Sequence, residues 1–373
     1  MQQLIERFKN LSSVQQLAVG GSVAVAFILI VVAVAVSGGD DQPEPSATSS
    51  TTTTTLAVEQ TTTTSATDTS TTTSTTPDEA DGPQWPLTGV IDEAAEPTAP
   101  ILVAKIDNSS TSRPQTGLAQ ADMVIEVLVE GGVARFLAFY QSNIPTEIGP
   151  IRSTREVDPK LIAPFDVAFA HSGGVEANIT AIRSVAVDAG HPVLGSTAYG
   201  RDPDRPAPYD LMLNPNPALD LADPASGDIW FSFDGEMATG EQALTVNLSL
   251  SAATPVTYRW SSADDGYLRF HGDSAHVDDE GSSISASNVV VLFVQEIDTG
   301  RTDAAGSSVP DYRVTGTGDA VVFRDGVAIR GSWERGSQDG FFRILDDSGR
   351  PIALTPGNVW IELTPIGRSL GWQ

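Results

Sequence analysis

Residues Met123–Tyr140 read MVIEVLVEGGVARFLAFY, and this stretch decides the fold. Two runs rich in β-branched and aromatic residues flank Gly131-Gly132, the mark of a β-hairpin whose loop positions take positive φ. A two-residue loop pairs Glu130 with Val133, Leu128 with Arg135 and Glu126 with Leu137. Side chains alternate between faces. One face then carries Met123, Ile125, Val127, Val129, Ala134, Phe136, Ala138 and Tyr140. The other carries Glu126, Leu128, Glu130, Arg135, Leu137 and Phe139. In that register Arg135 lies diagonal to both carboxylates. Two readings stand: a cross-strand ion pair on a partly solvated face, or the floor of a ligand cleft, whose lining mixes apolar and charged groups.

On the N-terminal side, Pro100–Asp107 (PILVAKID) reads as a buried strand that ends in a polar turn at Asn108. On the C-terminal side, Ile148–Glu156 (IGPIRSTRE) leads into a helix, started either by a Ser153/Glu156 capping box or by Asp158-Pro159. Arg152 and Arg155 precede that helix start, where positive charge opposes the helix dipole and calls for a negative neighbour. Glu126, Glu130 or an anionic ligand would serve. Phe165–His171 (FDVAFAH) reads as a second buried strand, followed by Ser172-Gly173-Gly174 and a helical stretch near Ala177–Val187. If the two buried strands are parallel, Asp107-Asn108 and His171-Ser172 share a carboxyl edge, the side on which α/β sheets bind ligands. Arg201–Tyr209 (RDPDRPAPY) is a Pro-rich loop suited to covering a cleft or to connecting elements.

From about Gly240 helix signals vanish. Short alternating runs recur from Ala243–Leu248 to Val359–Thr364, with Asp325-Gly326 as a tight hairpin turn. The expected fold class is therefore α+β, with a mixed α/β domain over 85–239 and an all-β, sandwich or barrel-like domain over 240–373. Trp260, Trp333 and Trp360 are expected in the core of the second domain.

Upstream, Leu17–Val36 is an uninterrupted apolar run of the length that crosses a bilayer. Arg7 and Lys9 precede it and Asp40 and Asp41 follow. The positive-inside rule places residues 1–16 in the cytoplasm and the rest outside the cell. Residues 37–84 are dominated by Thr, Ser, Pro and acids, a composition that cannot offset the entropy of ordering and reads as a disordered stalk. The chain has 373 residues, no cysteine and four histidines, which leaves no basis for a structural zinc site or a disulfide framework. A formal net charge of −27 argues against nucleic acid as a partner.

Several separated motifs resemble the YerB-like family of bacterial membrane-anchored proteins. They are Glu126–Phe136, Ile148-Gly-Pro-Ile-Arg152-Ser and His171-Ser-Gly-Gly, then Gly316-Thr-Gly-Asp-Ala, Gly331-Ser-Trp-Glu and Pro356-Gly-Asn-Val-Trp-Ile. The match runs from about Trp85 to Pro365. The resemblance implies N- and C-terminal modules of unknown function and an extracytoplasmic location. Many members look like lipoproteins. This chain has no lipidated Cys, so an apolar helix takes that place, and Pro206-Ala-Pro-Tyr209-Asp stands where the family's His-Asn is expected.

The expected function is a membrane-anchored cell-envelope protein that binds a wall fragment such as peptidoglycan, or an envelope protein. The candidate binding residues are Glu126, Glu130, Arg135, Arg152, Arg155, His171 and Asn108. No metal, cofactor or catalytic residue is assigned. The alternative is an envelope hydrolase using Glu126 and Glu130, or His171 as a base. Four residues along one strand separate those carboxylates by roughly 13 Å, wider than the ~5–9.5 Å of a glycosidase pair.

Overall fold

The computed structural model describes residues 82–303 and 305–373. The expected cytoplasmic segment 1–16, the membrane helix over 17–36 and the stalk up to residue 81 lie outside the described residues. Among the described residues no helix is long and apolar enough to cross a membrane.

The chain opens with strands β1 (Ile101–Asp107), β2 (Met123–Leu128) and β3 (Ala134–Tyr140). Next come helix α1 (Asp158–Ile162), β4 (Val167–Ala170), α2 (Glu176–Arg183), β5 (Val187–Asp188) and α3 (His191–Leu194). The hairpin β6 (Tyr199–Arg201) and β7 (Leu211–Leu213) and helix α4 (Asn216–Leu219) complete the first part. The second part is all β. It runs β8 (Glu241–Gln242), β9 (Thr245–Ser251), β10 (Thr254–Ser261), β11 (Gly266–His271), β12 (Ser274–Ala275) and β13 (Ser285–Ala286). The long β14 (Asn288–Thr302) follows, then β15 (Ser308–Arg313), β16 (Gly316–Arg324), β17 (Val327–Arg335), β18 (Arg343–Leu345), β19 (Val359–Pro365) and β20 (Leu370–Trp372).

Twelve strands form one sheet in the order β18-β17-β16-β14-β19-β2-β3-β1-β4-β5, with β15 on β14 and β8 on β17. The link between the two parts is β19, which pairs parallel with both β14 and β2. The second part therefore extends the first part's sheet edge to edge. β9–β13 and β20 make a separate six-stranded sheet. The described residues are mostly β, and their α-helices are four to eight residues long. The expectation of α+β overstated the helical share because short Pro-started turns carry the same start signals as full helices.

The second-part strands form where alternation placed them. Asp325 (φ 53°) and Gly326 (φ 76°) make the expected tight turn between β16 and β17. Trp333 and Trp360 are buried, and Trp260 packs half-buried against the core. α1 begins at Asp158-Pro159 rather than at a capping box, because the Asp158 carboxylate accepts the Arg155 amide at 2.8 Å and Lys105 Nζ at 2.7 Å.

The first hairpin differs by one residue from its expected register. Its loop has three residues, Glu130–Gly132, closed by the Val129 amide on the Val133 carbonyl at 2.8 Å. Both glycines adopt φ 71°. Pairing becomes Leu128 with Ala134, Val127 with Arg135 and Glu126 with Phe136. A one-residue slip sends a strand's side chains to the opposite face. Arg135 consequently faces the same way as Lys105 and Asp107 of β1, and Glu126 faces the other way with Phe136 and Ile106. Both faces are buried. One is covered by α1 and its approach segment, with Lys105 ion-paired to Asp158 and Phe139 edge-on to Phe165. The other is covered by the six-stranded sheet.

Candidate functional site

β1, β2, β4, β14 and β19 point the same way in the main sheet, so their carboxyl ends share one edge. At that edge lies a cleft of about 450 Å³, lined among others by Asp107, Glu130, Arg135, Arg152, Arg155 and Tyr209. β1 delivers Asp107, the start of the β2–β3 loop delivers Glu130, and the second residue of β3 delivers Arg135. The Arg152–Arg155 segment is held in place by backbone bonds: Arg152 to the Lys105 carbonyl at 2.8 Å, and Ser172 to the Arg152 carbonyl at 2.9 Å.

Two of the cleft's arginines are tightly paired with carboxylates. Arg152 Nε donates to Asp107 at 2.7 Å, and Arg155 makes a two-pronged bond to Glu130. Burial opposes ionisation of Asp107, but hydrogen bonds from Ser109 and the charge of Arg152 hold its carboxyl below the usual range. Glu130 is likewise held low, with Arg155 outweighing burial. Arg135 is 7% exposed and has no carboxylate of its own. Its one hydrogen bond among the described residues is from Nη1 to the Ser153 carbonyl at 2.9 Å. Asp107, already bonded to Arg152, lies 3.7 Å from Nε, which has no hydrogen-bond partner among the described residues. Burial and the neighbouring Arg155 and Arg152 push the Arg135 pKa down to about 10. A guanidinium so placed is costly, and an oxyanion that supplied paired acceptors would relieve it.

Four predicted residues thus meet at the cleft: Glu130, Arg135, Arg152 and Arg155. The remaining three lie elsewhere. Asn108 and Glu126 bond each other at 2.7 Å in the closed space between the two sheets. There Arg269 donates to Glu126 at 2.5 Å and to His276 at 2.8 Å, and Tyr258 donates to Glu362 at 2.5 Å. Glu126, Arg269 and Glu362 are fully buried or nearly so. Glu362 and Glu126 are in register on adjacent parallel strands. Burial and the Glu126 charge push the Glu362 pKa well up, so Glu362 carries the proton that it shares with Glu126. His276 is driven the opposite way by burial and Arg269 and stays neutral.

His171 is also buried. Its Nε2 meets Asp188 at 3.0 Å and its Nδ1 accepts the Gly173 amide at 3.0 Å. Burial lowers its pKa against the pull of Asp188. It supports the loop behind the Arg152–Arg155 segment and does not line the cleft. Glu126 and Glu130 lie on different sides of the sheet and each has its own arginine, so the paired-carboxylate arrangement expected for a hydrolase does not form. Among the described residues no three His, Asp or Glu side chains gather as metal ligands do.

The candidate binding residues did not include Asp107, Tyr209, Arg269 or Glu362. Asp107 ends the strand already placed at the carboxyl edge. Tyr209 comes from the Pro-rich loop, which Arg205 ties to the Ser112 and Pro114 carbonyls, and Arg152 stacks 5.2 Å from its ring. No local signal marks Arg269 or Glu362, since neither its strand partner nor its facing layer can be read from neighbours in sequence.

Fold and site together define a mostly β protein of two stacked sheets with an arginine-rich cleft at the carboxyl edge of the larger one. Family models described as the N-terminal and C-terminal domains of a protein of unknown function (DUF3048) match residues 87–226 and 244–361. The chain belongs to this YerB-like family. It is 28% identical over 300 residues to "Putative lipoprotein YerB" of Bacillus subtilis (strain 168), covering 78% of this chain and 88% of that one. The crystal structure of the Bacillus subtilis YerB protein superposes with a TM-score of 0.66 at 24% identity, over 77% of this chain and 99% of that chain. The shared fold therefore includes both parts.

Proposed function

We propose that this chain is an envelope-associated, membrane-attached binding protein that holds its ligand by an anionic group in the Arg135 cleft. The attachment reading draws on the apolar run over 17–36 and on the lipoprotein named among its relatives. The relative's name implies a lipid anchor, and here the apolar helix takes its place. The stalk spaces the cleft away from the bilayer, toward peptidoglycan or toward other envelope proteins. One observation carries the binding reading: Arg135 is nine-tenths buried, lines an open cleft and has no carboxylate of its own.

The test uses the full chain in detergent micelles, incubated with a solubilised envelope digest that contains wall fragments. Wild type should retain material that Arg135→Met and Arg152→Met both lose by tenfold or more. Retention of nothing by wild type, or equal retention by folded Arg135→Met, overturns the reading.

A further inference from the structure

The cleft does not end at Arg155. A second compartment of about 360 Å³ opens beyond it, and the two share Glu130, Arg155 and Asp303 as common walls. The second compartment differs in chemistry from the first. Asn178, in the first turn of α2, is 6% exposed, lines this compartment and makes no side-chain hydrogen bond among the described residues. A side-chain amide offers one acceptor and two donors, the complement of a peptide group. That amide lines the compartment without a protein partner among the described residues, so a peptide group of a ligand can pair with it. One Glu156 oxygen accepts from Arg301, while the other is buried without a hydrogen-bond partner among the described residues. That oxygen calls for a donor such as an amine. Val175 and Val309 add apolar wall.

The arrangement is therefore directional: a cation seeking an anion at one end, an amide seeking an amide in the next compartment, and a carboxylate oxygen seeking a donor beside it. A purely anionic ligand satisfies only the first. The net charge of −27 also disfavours a polyanion and suits a ligand that brings its own cation. Resting on the anion-binding reading above, we propose that the two adjoining compartments together take the carboxy-terminal end of a short extended peptide. Its terminal carboxylate sits at Arg135, a preceding peptide group at Asn178, and an amine-bearing side chain toward Glu156. A wall stem peptide and a protein C-terminus share this chemistry.

The experiment titrates the full chain in micelles with matched short peptides by calorimetry. The set comprises a free acid and its C-terminal amide, each with lysine or norleucine before the last residue, and each with an L or a D terminal residue. Inorganic phosphate is the small-anion control. On wild type, the free acid should bind at least tenfold more tightly than the amide, and lysine severalfold more tightly than norleucine. Asn178→Leu should weaken the free acid about tenfold and leave phosphate binding unchanged. A preference for the D or the L terminus assigns the source to wall or to protein, and either one supports the proposal. Equal binding of acid and amide, or no peptide binding, overturns it. If phosphate still binds wild type and not Arg135→Met in that case, the anion-binding reading survives alone. The acid-against-amide comparison needs no variant, so it stands even if a substitution fails to fold.

Discussion

Two charged clusters flank the same central strands, and they differ in kind. Between the sheets, Arg269, Glu126, Glu362, Tyr258 and His276 form a closed set in which Arg269 and Glu126 neutralise one another and the shared proton settles the second carboxylate. At the carboxyl edge, Lys105, Arg152 and Arg155 are matched by Asp158, Asp107 and Glu130, and Arg135 is left over. Both contain Arg and Glu. Each also holds a guanidinium Nε without a hydrogen-bond partner among the described residues, Arg269 in one and Arg135 in the other. What separates scaffold from site is that Arg269 is sealed from solvent with a carboxylate at 2.5 Å, whereas Arg135 lines an open cleft and its nearest carboxylate is already taken.

The sharpest way to break this contrast is Arg269→Met. Removing one partner of a buried ion pair leaves the other uncompensated and costs about 3–5 kcal/mol. Denaturant unfolding should show a loss of that size, and a loss under about 1 kcal/mol would mean that the closed cluster does not hold the sheets together.

Glu362→Gln tests the proton in the closed cluster. The Glu362 pKa is raised from 4.5 in the fold, so above pH 4.5 the folded state keeps a proton that the unfolded chain releases. Its contribution is full below pH 4.5 and falls as pH rises, by up to about 1.4 kcal/mol per unit. His276 has the opposite sign. Its pKa is lowered, so its contribution is present above 6.5 and lost as pH falls. Because these trends overlap, the readout is the difference between wild type and Glu362→Gln across pH 5–8. The variant should gain on wild type steadily as pH rises, and a flat difference would place the proton elsewhere.

Arg135→Met carries the smallest expected effect on stability. It removes one charge-assisted hydrogen bond, to the Ser153 carbonyl, together with a buried cation that lacks its own counter-ion, two changes that offset to within about 1 kcal/mol. A melting temperature close to wild type, alongside lost binding, sharpens the comparison. A loss as large as that of Arg269→Met would make the cleft arginine another piece of scaffold.

Much of this was legible from residues alone. The Gly131-Gly132 hairpin, the Asp325-Gly326 turn and the strands of the second part follow from local pattern and turn chemistry; the pairing of β1 with β4, left conditional by the sequence, is parallel. The clustering of Arg135, Arg152, Arg155 and Glu130 was also legible, because they lie close in sequence on a hairpin and an adjoining segment. The face on which Arg135 sits was not. It turns on whether the loop holds two residues or three, and Gly131-Gly132 is compatible with both.

Sequence by itself determined the local elements: alternation sets strands and glycine sets turns. Tertiary structure alone decided that β19 slots between β14 and β2, joining the two parts in one sheet, and that Arg269 crosses from the second sheet to close on Glu126. Those pairings span 143 positions in the case of Arg269 and Glu126. Backbone hydrogen bonds are alike at every strand edge, so the choice of edge is made only when side chains on both faces find their partners. The same event left Arg135 without one and so made the cleft.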